Sequence, residues 1–515
     1  MEILGITVPL WLVFTLLALA LYTFMMSRHH GTFKNLNIPG PAPWPIIGSL
    51  PEINRGGFQK FQVDCMRKYG KVYGFYGGLS PQTLEVGDKE MLRKILVKDF
   101  ANFTDRIVFK GFNGDADMGL PNLSGDHWKH VRSKITPAFS TGKLRKMATL
   151  VDHSSDTLLT SLRRNLKKGS GTVELMEIYG AYTMDVICST AFGIQIDSQS
   201  NPNDEFVVNA RKFLILKLFS PLILILIFLP KLHFLAPLFG FSFLDKDIQL
   251  FFRKITSKLL SERVVGSKDR VDFLQLMKNA QHESEDSDAE NDEEQDENNS
   301  VKTSATSSWT RKGITFDEIL GNAEVFFFAG YETTTITLSM ASYYLALYPE
   351  YQDKLRQEIT DKVGSSDLSY DNVREVEYLE MIINETLRIS PPATRTDRVC
   401  INDTVINGVQ IPAGMNISVP IYGIHHDPDN WEDPDKFIPE RFAKSYDPMT
   451  FLPFGYGPRI CIGMRLVQME LKMCLAKVIR NFRISVCSET QIPPEMLKLG
   501  LLKPQNVKLR LEEIK

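Results

Sequence analysis

Phe454-Gly-Tyr-Gly-Pro-Arg-Ile-Cys461-Ile-Gly463 sets one cysteine between a glycine-rich loop and a helical pattern running from Gly463 to Phe482. Glycine has no Cβ, so such a loop can turn close against a flat, bulky group. A cysteine entering a helix N-terminus meets free backbone N–H groups and the positive end of the helix dipole, and both favour the thiolate. Arg459, two residues upstream, can pair with an acid on the same loop. Taken alone, a cysteine on a turn reads as an ordinary buried thiol, since free cysteine is commonly buried. The spacing around it is what asks for more.

Upstream, Thr315-Phe-Asp-Glu318 is a capping box, with Ile314 and Ile319 placed to staple it. The helix it starts can run to Tyr348, before Pro349, a rod of roughly 50 Å. Inside it lies Ala329-Gly330-Tyr331-Glu332-Thr333-Thr334. Glycine in a helix interior costs about 1 kcal/mol against alanine, so it usually has a packing reason. A small Ala-Gly pair lets a flat group lie against the helix, or lets a second helix cross closely. The Thr333 hydroxyl can bond the Ala329 carbonyl four residues back and open the helix locally for water. Glu332 beside it can supply protons through that water.

Other pairs carry less on their own. Glu385-Thr-Leu-Arg388 puts acid and base three apart on one helical face, a spacing common in solvated surface pairs. Trp128-Lys-His-Val-Arg132 puts an aromatic and a cation four apart, as in a local cation–π contact.

Read in order, these segments resemble the cytochrome P-450 superfamily over residues 39 to about 510. Phe454 to Gly463 is similar to its haem-thiolate signature at every fixed position, and Ala329 to Thr334 to its oxygen-activation motif. Glu385–Arg388 with Pro439-Glu440-Arg441-Phe442 resembles its two structural charge motifs. The resemblance implies haem b with Cys461 as axial iron ligand and Phe454 on the ligand loop. It implies propionate-binding Arg106, Trp128, Arg132, Arg395 and Arg459, with Thr333 and Glu332 as the catalytic pair. Phe451-Leu-Pro-Phe454, Phe328 to Thr333 and Gln491-Ile-Pro are similar to the microsomal drug-oxidising cytochromes and to thromboxane synthase. The latter lacks the threonine that is present here as Thr333.

The chain has 515 residues, 43% of them hydrophobic, enough for a large core. Its six cysteines show no metal-ligand spacing and no disulfide framework, which favours a reducing compartment. Ile3 to Met26 has no charged residue and is long enough to span a bilayer; Glu2 precedes it, while Arg28 and Lys34 follow. The positive-inside rule puts everything after it in the cytosol. Ile38-Pro-Gly-Pro-Ala-Pro43 is a stiff linker that resembles the family's proline hinge. Ten acids and no base lie between Glu283 and Glu297; without them, 59 basic residues face 52 acidic ones. The remaining basic body suits an anionic membrane surface or an acidic partner. The acidic stretch 281–312 is expected to be disordered. Phe213 to Phe243, by contrast, is unusually apolar and reads as core or as a shallow membrane-dipping or substrate-roofing element.

The expected architecture is therefore mainly α with a minor β part. An anchor (1–27), a linker and hinge (28–43) and a cytochrome P-450 catalytic domain (44–515) follow one another. Helical spacing marks 143–167, 173–192, 204–219 and 246–265. Strand pairing is expected of 72–77 with 83–86, and a hairpin about Asn407-Gly408.

The expected activity is insertion of one oxygen atom of O₂ into an apolar substrate, at a single-pass protein of the endoplasmic reticulum membrane. No GxGxxG or flavin-domain pattern is present, so electrons come from outside. The resemblance implies an NADPH-dependent cytochrome P-450 reductase, admits cytochrome b5 as a second donor, and implies no nucleic-acid partner. A haem-thiolate isomerase of lipid peroxides is the rival enzyme, and a haem sensor the rival outside enzymes. Expected pocket walls are the 107–123 loop, the apolar 213–243 segment, Ala329, Ala393-Thr394 and Leu501-Leu502.

Overall fold

A computed structural model describes residues 30–514 apart from 46, 78–79, 109–112, 170, 214–244, 268–271, 283–312, 365 and 499, together with 2–3, 6–7 and 15. Most of the expected anchor, the apolar run after Phe213 and the acidic stretch after His282 lie outside these residues. Near the N-terminus, Glu2–Ile3 pairs with Ile6–Thr7 as two short strands. No helix among the described residues is long and apolar enough to cross a membrane.

The described chain is mainly helical. The principal helices are α1 (Leu50–Tyr69), α2 (Gly125–Ile135), α3 (Thr141–Lys168), α4 (Leu175–Ile187), α5 (Glu205–Phe213), α6 (Lys246–Ser261), α7 (Phe273–His282), α8 (Phe316–Leu347), α9 (Pro349–Val363), α10 (Glu377–Ile389) and α11 (Met464–Asn481). The small strands are β1 (Val72–Gly77), β2 (Ser80–Val86), β3 (Thr172–Glu174), β4 (Thr396–Val399), β5 (Thr404–Ile406), β6 (Val409–Ile411), β7 (Asn416–Val419), β8 (Phe482–Ser485) and β9 (Lys508–Glu513). They form sheets in the orders β1-β2-β7-β4 and β8-β9-β3, with β5-β6 as a separate hairpin.

Local sequence rules account for the clearest boundaries. The Thr315–Glu318 capping box forms in full at the start of α8, and both staple residues are buried. At 32 residues α8 is about 48 Å long. The β5-β6 turn holds Asn407 and Gly408 both at positive φ, as a type I′ turn requires. The expected 173–192 helix is shorter than its periodicity suggests. Thr172–Glu174 is drawn into β3, where Val173 pairs with Leu509, and a π-helical turn, Cys188–Phe192, ends the segment.

The largest hydrophobic core gathers around α8, which packs against α4, α7, α10 and α11. Gly330 explains part of that packing. A Cβ there would meet Ile187 Cδ1 at 2.8 Å, so the glycine lets α4 cross closely. A second core lies under the four-stranded sheet and includes Leu84, Leu96, Ile417 and Leu452.

Candidate active site

The loop before α11 places Cys461. Gly455 and Gly457 take positive φ, and a Cβ on Gly457 would lie 2.0 Å from the Leu96 carbonyl oxygen. The Cys461 N–H then donates to the Phe454 carbonyl at 2.9 Å, closing the turn over half-buried Phe454. Backbone N–H groups of Gly463 and Met464 point at the thiol, and Arg132 and Arg106 lie near enough to favour its charged form. Burial outweighs them and pushes the thiol up. The expected donors are thus in place, but the protein's own groups do not hold a thiolate. Cys461 is nevertheless exposed in area. An exposed yet desolvated side chain faces an interior space rather than bulk water.

Ala329 lies exposed in mid-helix on α8, while Phe326 and Phe327 before it are buried. The expected small pair is therefore divided: Gly330 serves the α4 crossing, and Ala329 borders open space. Thr333 donates its hydroxyl to the Ala329 carbonyl at 2.7 Å. Glu332, 9% exposed, pairs with Lys503 from the C-terminal loop.

Four arginines crowd beside Cys461. An isolated bridge between Asp105 and Val399 sets the 103–107 loop against β4, and Ile107 N–H donates to Asp397 at 2.9 Å. That pairing brings Arg106 beside Arg398, while Asp105 accepts from Gly125 N–H at the start of α2. Arg459 donates to the Leu123 carbonyl at 2.6 Å and lies over the Trp128 ring at 4.3 Å. The cation over Trp128 is therefore Arg459, rather than Arg132 on the same helix.

Burial, with neighbouring arginine charge adding to it, pushes Arg398 and Arg459 each down to about 9 and Arg132 to about 10. Asp397 and Asp105 only partly offset this. Arg106 Nε, Arg398 Nε and Arg459 Nε and Nη1 are buried without a hydrogen-bond partner. Such orphaned donors in a cationic cluster fit an anionic ligand with more than one carboxylate.

Arg395 is not in this cluster. Its guanidinium lies 3.8 Å from the Phe58 ring centroid, with Glu85 as its nearest opposing charge. Arg398, which motif reading passed over, takes the position expected of Arg395. Strand alternation offered a signal, since residues three apart in extended chain point to opposite faces.

The family profile described as Cytochrome P450 matches residues 38–511. The chain belongs to the cytochrome P450 family. Among its relatives, Cytochrome P450 3A11 of Mus musculus is 38% identical over 508 residues, covering 97% of this chain and 96% of its own length. Cytochrome P450 3A29 of Sus scrofa and Cytochrome P450 3A5 of Homo sapiens are each 39% identical, over 511 and 510 residues, with the same coverage. The protein is thus a cytochrome P450 monooxygenase, and the cofactor its family implies is haem.

The residues present fit that cofactor. Its two carboxylates match the orphaned arginine donors, and Cys461 and Ala329 each present an exposed surface rather than one filled by side chains. The other charge motif stands apart. Glu385 and Arg388 are fully buried and bonded twice, at 2.7 and 2.8 Å, and Arg441 joins Glu385 at 3.3 Å.

Proposed function

We propose that this cytochrome P450 is a single-pass protein of the endoplasmic reticulum membrane that inserts one atom of O₂ into apolar xenobiotics, steroids or lipids. Electrons come from NADPH-cytochrome P450 reductase, with cytochrome b5 as a second donor. The observation that carries the reading is the buried arginine cluster with unpaired donors, set beside an interior-facing Cys461.

In this reading Cys461 Sγ would ligate the haem iron, Arg106, Arg132, Arg398 and Arg459 would hold the propionates, and Trp128 backs Arg459. A haem held by that thiolate would supply the chemistry of oxygen activation. Thr333 Oγ1, on the same side of α8 as exposed Ala329, holds water in line for proton transfer. Glu332 supplies that water's protons from the solvent side. Leu502 N–H bonds the Pro392 carbonyl at 2.8 Å, so the C-terminal loop and the segment after α10 form one apolar wall. Such a wall selects for size and apolar character.

The reduced protein with carbon monoxide tests the central assignment. A red-shifted Soret band, lost in Cys461→Ala, is the expected result. A band of the kind given by histidine ligation overturns it.

A further inference from the structure

Glu332 is nine-tenths buried on α8, and its carboxylate is taken by a residue far away in sequence. Lys503 Nζ lies 2.5 Å from Glu332 Oε1 and is 35% exposed. The loop that carries it is tied down on several sides. Lys503 N–H donates to the Leu501 carbonyl, Leu497 N–H to the Lys503 carbonyl, and Gln505 N–H to the Glu495 carbonyl, each at 2.8 Å. The bond from Leu502 to Pro392 anchors it to the segment after α10.

A lysine on so constrained a backbone keeps its ammonium in one region, despite a flexible side chain. The next residue on α8 is Thr333, with its hydroxyl on Ala329. The neighbouring Tyr331 phenol is pushed up to about 12 by burial and by Glu332, with Arg211 opposing. At that value the phenol stays protonated near neutrality and is a poor proton donor. Glu332 and Lys503 are thus the charged pair linking the Thr333 turn to water.

We infer that Lys503 is a positioning residue for proton delivery. Its ammonium holds the Glu332 carboxylate at the boundary between the C-terminal loop and α8, where it takes protons from solvent for the water at Thr333. This rests on the proton-delivery role of Thr333 and Glu332 proposed above. It goes further, because it assigns the entry point of the path and a second element, the C-terminal loop, that controls it.

The test uses the full-length holoenzyme with its reductase and compares Lys503→Gln, Lys503→Arg, Glu332→Gln, Thr333→Ala and the double variant Lys503→Gln/Glu332→Gln. Product formed per NADPH and hydrogen peroxide released are measured beside the carbon monoxide band and the substrate-binding spectrum. Lys503→Gln is expected to lower coupling by about two- to fivefold, the range for a half-exposed ion pair, with both spectra unchanged. Lys503→Arg restores coupling, and Lys503→Gln adds nothing once Glu332 is neutral.

A purely structural lysine moves the spectra and coupling together, and the double variant is then additive; that result overturns the inference. So does unchanged coupling in Lys503→Gln while Glu332→Gln uncouples, which leaves the parent reading standing. If Glu332→Gln and Thr333→Ala both keep full coupling, the parent reading fails and this inference with it.

Discussion

Two of the buried clusters of charge among the described residues are built to opposite rules. In the first, Glu385 takes both Arg388 and Arg441, and Arg388 spends its remaining donors on the His425, Pro434 and Lys436 carbonyls at 2.8 to 3.2 Å. The Ile438 N–H also donates to Glu385, at 2.8 Å. Donors and acceptors are matched within the chain. In the second, Arg106, Arg132, Arg398 and Arg459 crowd together with donors to spare. The closed cluster holds α10 to the segment 425–441, whereas the open one is completed by something other than protein. Counting buried charges would class them together. Counting their unmet hydrogen bonds separates a brace from a binding site.

Breaking the closed cluster should have the largest effect. Arg388→Ala takes from buried Glu385 its doubly bonded partner and leaves three carbonyls unpaired, at a cost of about 3–5 kcal/mol. The expected outcome is little folded protein and no haem uptake, measured by thermal unfolding and haem titration. Normal folding would show that the brace is dispensable.

The same region predicts a pH effect. His425 Nε2 accepts from Leu452 N–H at 2.9 Å and Nδ1 contacts the Arg388 carbonyl at 3.0 Å, so the partners assign a neutral ring. Burial pushes His425 well below its ordinary value and His426 down to about 4, with Arg388 adding to both. Between about pH 6.5 and 4 the unfolded chain therefore holds more protons than the folded one. Stability should fall as pH drops through that window, by up to about 3 kcal/mol from His426 alone. His426→Phe should flatten the slope; an unchanged slope contradicts the assignment.

The open cluster should respond differently. Arg398→Ala removes one of several like charges, so the apoprotein should unfold no earlier than the parent. Haem should nevertheless leave about 10- to 100-fold faster to a scavenging protein, the equivalent of losing a charge-assisted hydrogen bond of roughly 1.5–3 kcal/mol. Arg395→Ala should leave haem transfer alone. The reverse ranking would return the role to Arg395.

That pair marks the limit of what the sequence discloses. The Thr315 cap, the Asn407-Gly408 turn and the Cys461 loop are legible because their physics is local, set within a few residues by capping, positive φ and close approach. The Thr333 bond to Ala329 belongs with them. The arginine cluster draws on four distant segments. The Asp105–Val399 bridge and the Ile107–Asp397 bond, contacts across nearly 300 positions, set Arg398 rather than Arg395 beside Arg106, and strand alternation alone tells only that the two face opposite ways. Lys503 is hidden for the same reason, since nothing near Glu332 in sequence announces its partner. Gly330 was legible as a packing residue, yet its neighbour is a helix and not the cofactor.

The smallest effect expected comes from a pair with the same spacing as Glu385 and Arg388. Asp433 and Lys436 are also three apart, with Nζ and Oδ2 at 2.8 Å, but their side chains are 56% and 69% exposed. Their backbone carbonyls accept from Arg441 and Arg388, so the main chain here belongs to the brace while the ion pair does not. Lys436→Ala removes the ammonium and keeps the carbonyl. Water then solvates Asp433, and no buried group is left unpaired. Thermal unfolding and haem titration should match the parent within error, at low salt and high salt alike. A clear loss in Lys436→Ala would mean that the side-chain pair shapes the carbonyls offered to Arg388, and the boundary of the closed cluster would move outward to include it.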